Sequence, residues 1–385
     1  MPAIQLLSEV EKIAKEVLGP QAVEVDRTGS FPAAGIRALK DAGVMGAAVP
    51  ADLGGLGLDI AQLCEIGRIL GQYCTSTAMI VAMHHIQVAS LVDHLVHNEN
   101  VGDYLRAVVA EKRLIASGTS EVGPSGDMRS SVCFVEPTEG GFTIEKQCTT
   151  VSYGQHAEDI LFQGRRHKDA SSGDQVMILA TKGTFTLEQR GSWDTLGMRG
   201  TCSPGGLLKA KGESWQVFDV PCATVAAQTM VPLSHILWSG RWLGTAEDAV
   251  AKASKVVRSK AKKTPGQVPP DAHLLSRLSG KLHLMRSILK SLVDDYSSIM
   301  HGDDRGELES LSFALRENNL KLNTSELVVD IVSDAMRICG VMAYKNDSEM
   351  SLGRHLRDAY SACLMINNQR IHATNASMLL VHKNV

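Results

Sequence analysis

Histidine has its ordinary pKa nearest to neutrality, and three histidines of this chain stand in apolar surroundings: His84 and His85 in MIVAMHHIQV, and His235 in VPLSHILW. A neutral imidazole at a helix start can act as a general base, or it can be a hydrogen-bonded structural residue. His84 and His85 fall among apolar helix positions and read as satisfied core or interface histidines. The cations Arg258, Lys260, Lys262 and Lys263 precede TPG, where they can neutralise a phosphate or complement the C-terminal end of a helix. Hydroxyls gather in LIASGTS and TTVSYG, a chemistry shared by turns and ligand-binding loops. The eight cysteines are never closer than ten residues, so no redox pair and no zinc knuckle is present and no metal site is expected. G-x-G-x-x-G after a strand, the phosphate loop, H-E-x-x-H and G-x-S-x-G are all missing.

The elements that must hold these residues follow from periodicity. Residues 1–113 carry apolar period 3.6 and read as a helical domain. In it Asp59 caps a helix three residues before Gln62, and a second helix opens after Thr75 and Ser76. Between the early helices lies the glycine-dense loop VPADLGGLGLD. Residues 114–225 read as a β-domain, because LIASGT, VCFVEP, GFTIEKQ, DILFQGR, QVMILAT, FTLEQR, GLLKAK and WQVFDVP are short runs broken by turn residues, the spacing of an antiparallel sheet or small barrel. From 226 to 385 long helices return as an antiparallel bundle. Leu274, Leu278, Leu282, Met285, Leu289, Leu292 and Tyr296 mark one stripe. Met79, Met83, Met285 and Met336 read as core filler.

Composition bounds the function class. The 385 residues are 44% hydrophobic but only 4% aromatic, an inventory that favours helix packing. A net charge of −3 offers no basic excess for a nucleic acid. No apolar run approaches the ~18 residues of a membrane span, and MPAIQLLSEVEKIAKEVLG carries Glu and Lys where a signal peptide is apolar, so a soluble cytoplasmic protein is expected.

DRTGSFPAAGIRALKDAGVMGAAVPADLGGLGLD, TSEVGPSGD, TVSYGQHAED, WDTLGMRGT, KKTPG and ICGVMAY with RHLRDA, in this order, resemble the acyl-CoA dehydrogenase family over nearly the whole chain. The resemblance implies an α+β fold of N-terminal helical domain, middle antiparallel β-domain and C-terminal helical bundle. It also implies FAD, a homo-oligomer (tetramer or dimer), an acyl thioester substrate on CoA or a carrier protein, and an electron acceptor that is an electron-transfer flavoprotein or oxygen. By similarity Ser117, Thr119 and Ser120 line the flavin edge, Ser152 stands beside N5, and Thr150 replaces a stacking tryptophan. Lys262, Arg337, Gly340 and Asn368 fall at further cofactor positions; Gly126, Ser234, Ile366 and Asn367 fall at substrate positions.

The family's catalytic glutamate is Ile366 here, and its alternative site is Ser234; neither can take a proton from carbon. His235, aligned with an anchoring arginine, is then the candidate base for α,β-oxidation of the thioester. Several flavin monooxygenases on the same fold carry a histidine where this chain has Met365. Two alternatives therefore stand beside the dehydrogenase: a monooxygenase, and a non-catalytic subunit completing a paralogue's site.

Overall fold

The protein is described by a computed structural model covering residues 2–124, 127–302 and 304–382. The first region is helical: α1 (Ala3–Ile13), α2 (Gly19–Thr28), α3 (Ala33–Asp41), α4 (Ile60–Tyr73), α5 (Thr75–Leu95) and α6 (Glu99–Ala110). The expected cap forms reciprocally: Asp59 Oδ1 accepts from Gln62 N at 2.8 Å, and Gln62 Oε1 accepts from Asp59 N at 3.0 Å. Helix α5 departs from the sequence reading. By length and composition it passes for a membrane span, yet 83% of its apolar window is buried inside the chain, so it is a central core helix. His84, His85 and Gln87 break the apolar run without bringing it to the surface.

The middle region holds β1 (Ile115–Gly118), β2 (Glu136–Thr138), β3 (Gly141–Cys148), β4 (Asp159–Arg165), β5 (Gln175–Ala180), β6 (Phe185–Arg190), β7 (Gly205–Glu213) and β8 (Val217–Pro221). They form two four-stranded sheets, ordered β1-β4-β5-β8 and β2-β3-β7-β6. All pairs are antiparallel except β1 with β4, which is parallel, so the purely antiparallel expectation fails at one edge. The VCFV run contributes only a bridge from Phe134 to Arg165, and its strand starts later, at Glu136. Strand β3 alternates as a half-exposed strand should, whereas β5 is buried on both faces and accordingly reads QVMILA.

The last region is α7 (Cys222–Val225), a π-turn at 226–230, α8 (Val231–Lys263), α9 (Ala272–His301), α10 (Leu311–Cys339), α11 (Val341–Tyr344), α12 (Gly353–Leu364) and α13 (Asn368–Leu379). Leu278, Leu282, Met285, Leu289, Leu292 and Tyr296 are buried along α9, as their spacing requires.

Helix α8 is the hub. It packs on α4 at backbone contact, because both helices put glycines into the crossing. A Cβ on Gly71 would lie 2.3 Å from Arg241 O, and one on Gly244 would lie 2.0 Å from Arg68 O. Backbone cannot yield as a side-chain tip can. Gly71→Ala is therefore expected to lower the unfolding free energy by more than about 2 kcal/mol in urea denaturation, despite alanine's better helix propensity.

Candidate functional site

The three regions meet around a cavity of ≈910 Å³. Helix α5 presents Met79, Met83, Ile86 and Gln87, spaced so that one face turns inward. Ser117, Thr119 and Ser120 come from the end of β1; Thr149, Thr150 and Ser152 follow β3; Trp193, Met198, Thr201 and Ser203 come from the loop before β7. Met230, Ser234 and Trp238 recur every four residues along the π-turn and α8, and Arg357, Tyr360, Met365, Ile366, Asn367 and Arg370 close the last wall.

One wall is hydroxyl-rich. Ser203 Oγ stands 2.9 Å from Ser152 Oγ and 2.8 Å from Thr201 Oγ1, so the three hydroxyls form one chain along this wall, with Ser152 at its end. Ser120 behaves differently from its sequence assignment. Its hydroxyl donates to Thr150 O at 2.7 Å and accepts from Thr150 N at 3.0 Å, which ties the β1 end to the β3 end and uses up its proton. The lining is also sulfur-rich. Met79 and Met83, expected as core filler, face the cavity together with Met128, Met198, Met230 and Met365.

Backbone strain collects here. Among the described residues, the non-glycine positions with positive φ are Lys112, Tyr153, Met198, Cys202, Ile366 and Asn367. Met198, Ile366 and Asn367 line the cavity, and Tyr153 and Cys202 adjoin lining residues. A β-branched residue at φ 56°, as at Ile366, is costly, and such conformations cluster at functional sites. Buried Asp358 supports one strained turn by accepting from Met198 N at 2.6 Å, while Trp193 Nε1 donates to Met198 O at 3.1 Å.

Ser117, Thr119, Ser120, Thr150, Ser152, Ser234, Ile366 and Asn367 are thus brought together. The other sequence-derived positions are not. His235 is one residue from Ser234 but turned away by the helical step; its Nδ1 donates to Glu317 O at 3.0 Å on α10, and Nε2 is buried without a partner. Burial, and then the nearby Lys321, push its pKa down to about 3, so the ring is neutral but faces no substrate. The candidate base is corrected accordingly. Asn368 is also buried away from the cavity: it accepts from Lys321 Nζ and donates to Ser325 Oγ at 3.1 Å, pinning α13 to α10. Lys262 lies exposed at the end of α8. Arg337, paired with Asp334 at 3.1 Å, and Gly340 line a separate groove with Met336, Val341, Tyr344 and Leu356. Gly126 lies outside the described residues. Among the core histidines, His84 is satisfied, its Nε2 donating to Met45 O at 2.8 Å and Nδ1 accepting from Ile115 N at 3.1 Å. His85 is not: neither ring nitrogen has a partner.

Sequence reasoning passed over Trp193 and Met198, which lie inside the quoted WDTLGMRGT, and Arg241. The signal for the last was available, an arginine in the middle of the apolar run LWSGRWLG.

A helical domain, a two-sheet β-domain and a helical bundle closing on one hydroxyl-lined cavity is the acyl-CoA dehydrogenase architecture. The acyl-CoA dehydrogenase N-terminal domain model matches residues 3–112 and the C-terminal domain model residues 225–365, and the chain belongs to that family. L-evernosamine nitrososynthase of Micromonospora sp. is 25% identical over 354 residues, 85% of this chain and 78% of that one. Mitochondrial isovaleryl-CoA dehydrogenase of Solanum tuberosum is also 25% identical, but only over 201 residues, so the match spans about half of either protein (51% and 48%). Among solved structures, FMN-bound TdsC from Paenibacillus sp. A11-2 superposes with a TM-score of 0.85 at 18% identity, covering 99% of this chain and 98% of that one.

The buried state of His235 has a measurable consequence. Its folded pKa lies below the value near 6.5 of an unfolded histidine, so the unfolded chain takes up the proton first, and stability is lost as pH falls through 6.5 toward 3. His235→Leu removes that loss. Between pH 7.5 and pH 5 the variant is expected to gain about 2 kcal/mol relative to the parent in denaturant unfolding, at roughly 1.4 kcal/mol per pH unit below 6.5.

Proposed function

We propose that the chain is a flavin-dependent monooxygenase on the acyl-CoA dehydrogenase scaffold, taking a reduced flavin in the central cavity and using oxygen as its electron acceptor. The observation that carries this reading is the cavity's lack of a base. Among the described lining residues there is no carboxylate and no histidine, and the two positions where the family's glutamate is expected hold Ile366 and Ser234. Thioester dehydrogenation, the reading first suggested by the sequence, requires a positioned base at the α-carbon. Oxygenation does not. Likeness to a nitrososynthase over 85% of the chain accords with this reading but does not decide it, since cyclohex-1-ene-1-carbonyl-CoA dehydrogenase of Syntrophus aciditrophicus matches 92% at 20% identity.

The residues present suit a flavin ring. Ser152, Ser117 and Thr119 offer hydroxyls to its edge, and methionines supply apolar lining. Bound in its reduced form, the flavin supplies the electrons for oxygen activation. Lys262, Arg337 and Gly340, the positions first assigned to FAD, stand outside the cavity, so a flavin bound within one chain does not use them; FMN is the form proposed here. The chain also assembles with copies of itself. Val341, Met342, Tyr344 and Leu380 are exposed apolar side chains on the outer face of the bundle, which supports that part of the proposal.

Anaerobic titration with photoreduced FMN, followed by exposure to oxygen, tests this. Binding of reduced FMN with oxygen consumption, and no bleaching of bound oxidised flavin by a panel of acyl-CoAs, are the expected results. Bleaching by an acyl-CoA would restore the dehydrogenase, and failure to bind either FMN or FAD would leave the non-catalytic subunit. Ser152→Ala is expected to weaken flavin binding about fivefold, the worth of one neutral hydrogen bond.

A further inference from the structure

Arg241 lies in the middle of α8 and is fully buried. Among the described residues, no carboxylate oxygen stands within ion-pair distance of it, and its Nε has no hydrogen-bond partner. Its two terminal nitrogens meet only thioethers: Nη2 is 3.2 Å from Met365 Sδ and Nη1 is 3.9 Å from Met198 Sδ. Both methionines line the cavity. The guanidinium also lies 5.0 Å from the Trp242 ring, whose face supplies a weak attraction. Thioethers are poor acceptors and do not replace the hydration a cation loses on burial.

The nearest acid is already committed. Asp358 accepts from Met198 N at 2.6 Å and stands 3.8 Å from Arg354. The cavity wall carries the same sign: apart from Tyr360, its described ionisable side chains are Arg357, held by Asp26, and Arg370. A buried, uncompensated cation is kept where a ligand supplies the counter-charge, and a flexible methionine is the side chain best able to swing aside for one.

We propose that Arg241, behind the movable thioethers of Met198 and Met365, is the anion-recognising floor of the cavity, and that the substrate carries a carboxylate on the end that enters first. A guanidinium offers two parallel N–H donors, which match the two oxygens of a carboxylate. The inference deepens the monooxygenase reading only in taking the cavity as the substrate site; it does not depend on the flavin.

Benzoate and its neutral isostere benzamide are the probes, titrated into the purified protein with and without saturating FMN, with binding read from the fluorescence of Trp193 and Trp238 on the cavity wall. Benzoate is expected to bind at least tenfold more tightly than benzamide. Arg241→Met should erase that preference while leaving the unfolding temperature unchanged or raised, since a hydrophobic residue of similar length removes a desolvated charge. Met365→Ala, which uncovers the guanidinium, should raise benzoate affinity severalfold, and it decides the matter if Arg241→Met does not fold. Equal binding of the two probes by the parent, a preference that survives Arg241→Met, or unchanged benzoate affinity in Met365→Ala overturns the proposal. A shift in bound-FMN midpoint potential in Arg241→Met with the benzoate preference intact would assign the charge to the flavin and likewise overturn it. Because the titration is read without FMN as well, a chain that binds no flavin still answers it, and the two readings fail separately.

Discussion

The backbone contact between α4 and α8 sets the geometry of everything around the cavity. Gly71 on one helix and Gly240 and Gly244 on the other approach the opposing backbone closely enough that a single methyl would collide with a main-chain carbonyl, and Gly67 lies in ordinary contact with Leu237 and Arg241. That contact fixes the rotation of α8 about its axis. With the glycine face committed to α4, helical geometry sends Ser234 and Trp238 to the cavity and His235 and Ser239 to α10, where Glu317 O and Thr324 receive them. Arg241 is enclosed with it: its carbonyl lies against α4, and its side chain ends at Met198 and Met365.

The cavity walls are held by a second device, strain stabilised from outside. Left-handed backbone at Met198, Cys202 and Tyr153 costs on the order of 1–3 kcal/mol per residue and persists only where the surroundings over-determine it. They do so here. Asp358 clamps Met198 N, Arg199 Nε donates to Asp26 O at 2.7 Å, Tyr153 OH donates to Ile115 O at 3.0 Å, and Arg357 pairs with Asp26. The loop before β7, the N-terminal helices and α12 are thereby joined, and hydroxyls from three separate segments converge without any one element being long enough to carry them all.

Local sequence was enough for the elements. The Asp59–Gln62 cap, the α9 stripe and most strand runs were legible because caps, periods of 3.6 and short apolar runs are properties of a few adjacent residues. The hydroxyl wall was legible through resemblance, since Thr119, Thr150 and Ser152 sit in segments shared with the family and Ser117 lies two residues before one of them. What was not legible depends on which way a side chain turns. His235 and Ser234 are neighbours in sequence, yet a 100° step puts one in the α8–α10 interface and the other in the cavity. Met79 and Met83 look the same whether they fill a core or line a void. The parallel β1–β4 pair joins strands some forty residues apart, which no local pattern records. Arg241 had a local signal, a charge inside an apolar run, but its meaning needed the absence of a partner in three dimensions.

The distribution of charge argues for the kind of chemistry the site can support. Burial pushes the Asp358 carboxyl up against the opposing pull of Arg354, and its oxygens are turned to the Met198 amide and away from the void. Glu317, likewise raised by burial, stands behind His235 on the far side of α8. These two acids are therefore screened from the cavity by backbone or by another helix. Hydroxyl protons and guanidinium groups remain on or just behind its walls. Among its described residues such a wall has no base to take a proton from carbon, and in the proposed reading it stabilises negative charge, at a flavin ring nitrogen through the hydroxyls and at the arginine behind Met198 and Met365. In the proposed reading Ile366 and Ser234, which stand where the resemblance expects glutamate, and Arg241 behind the wall belong together: the site takes no proton from carbon and receives an anion.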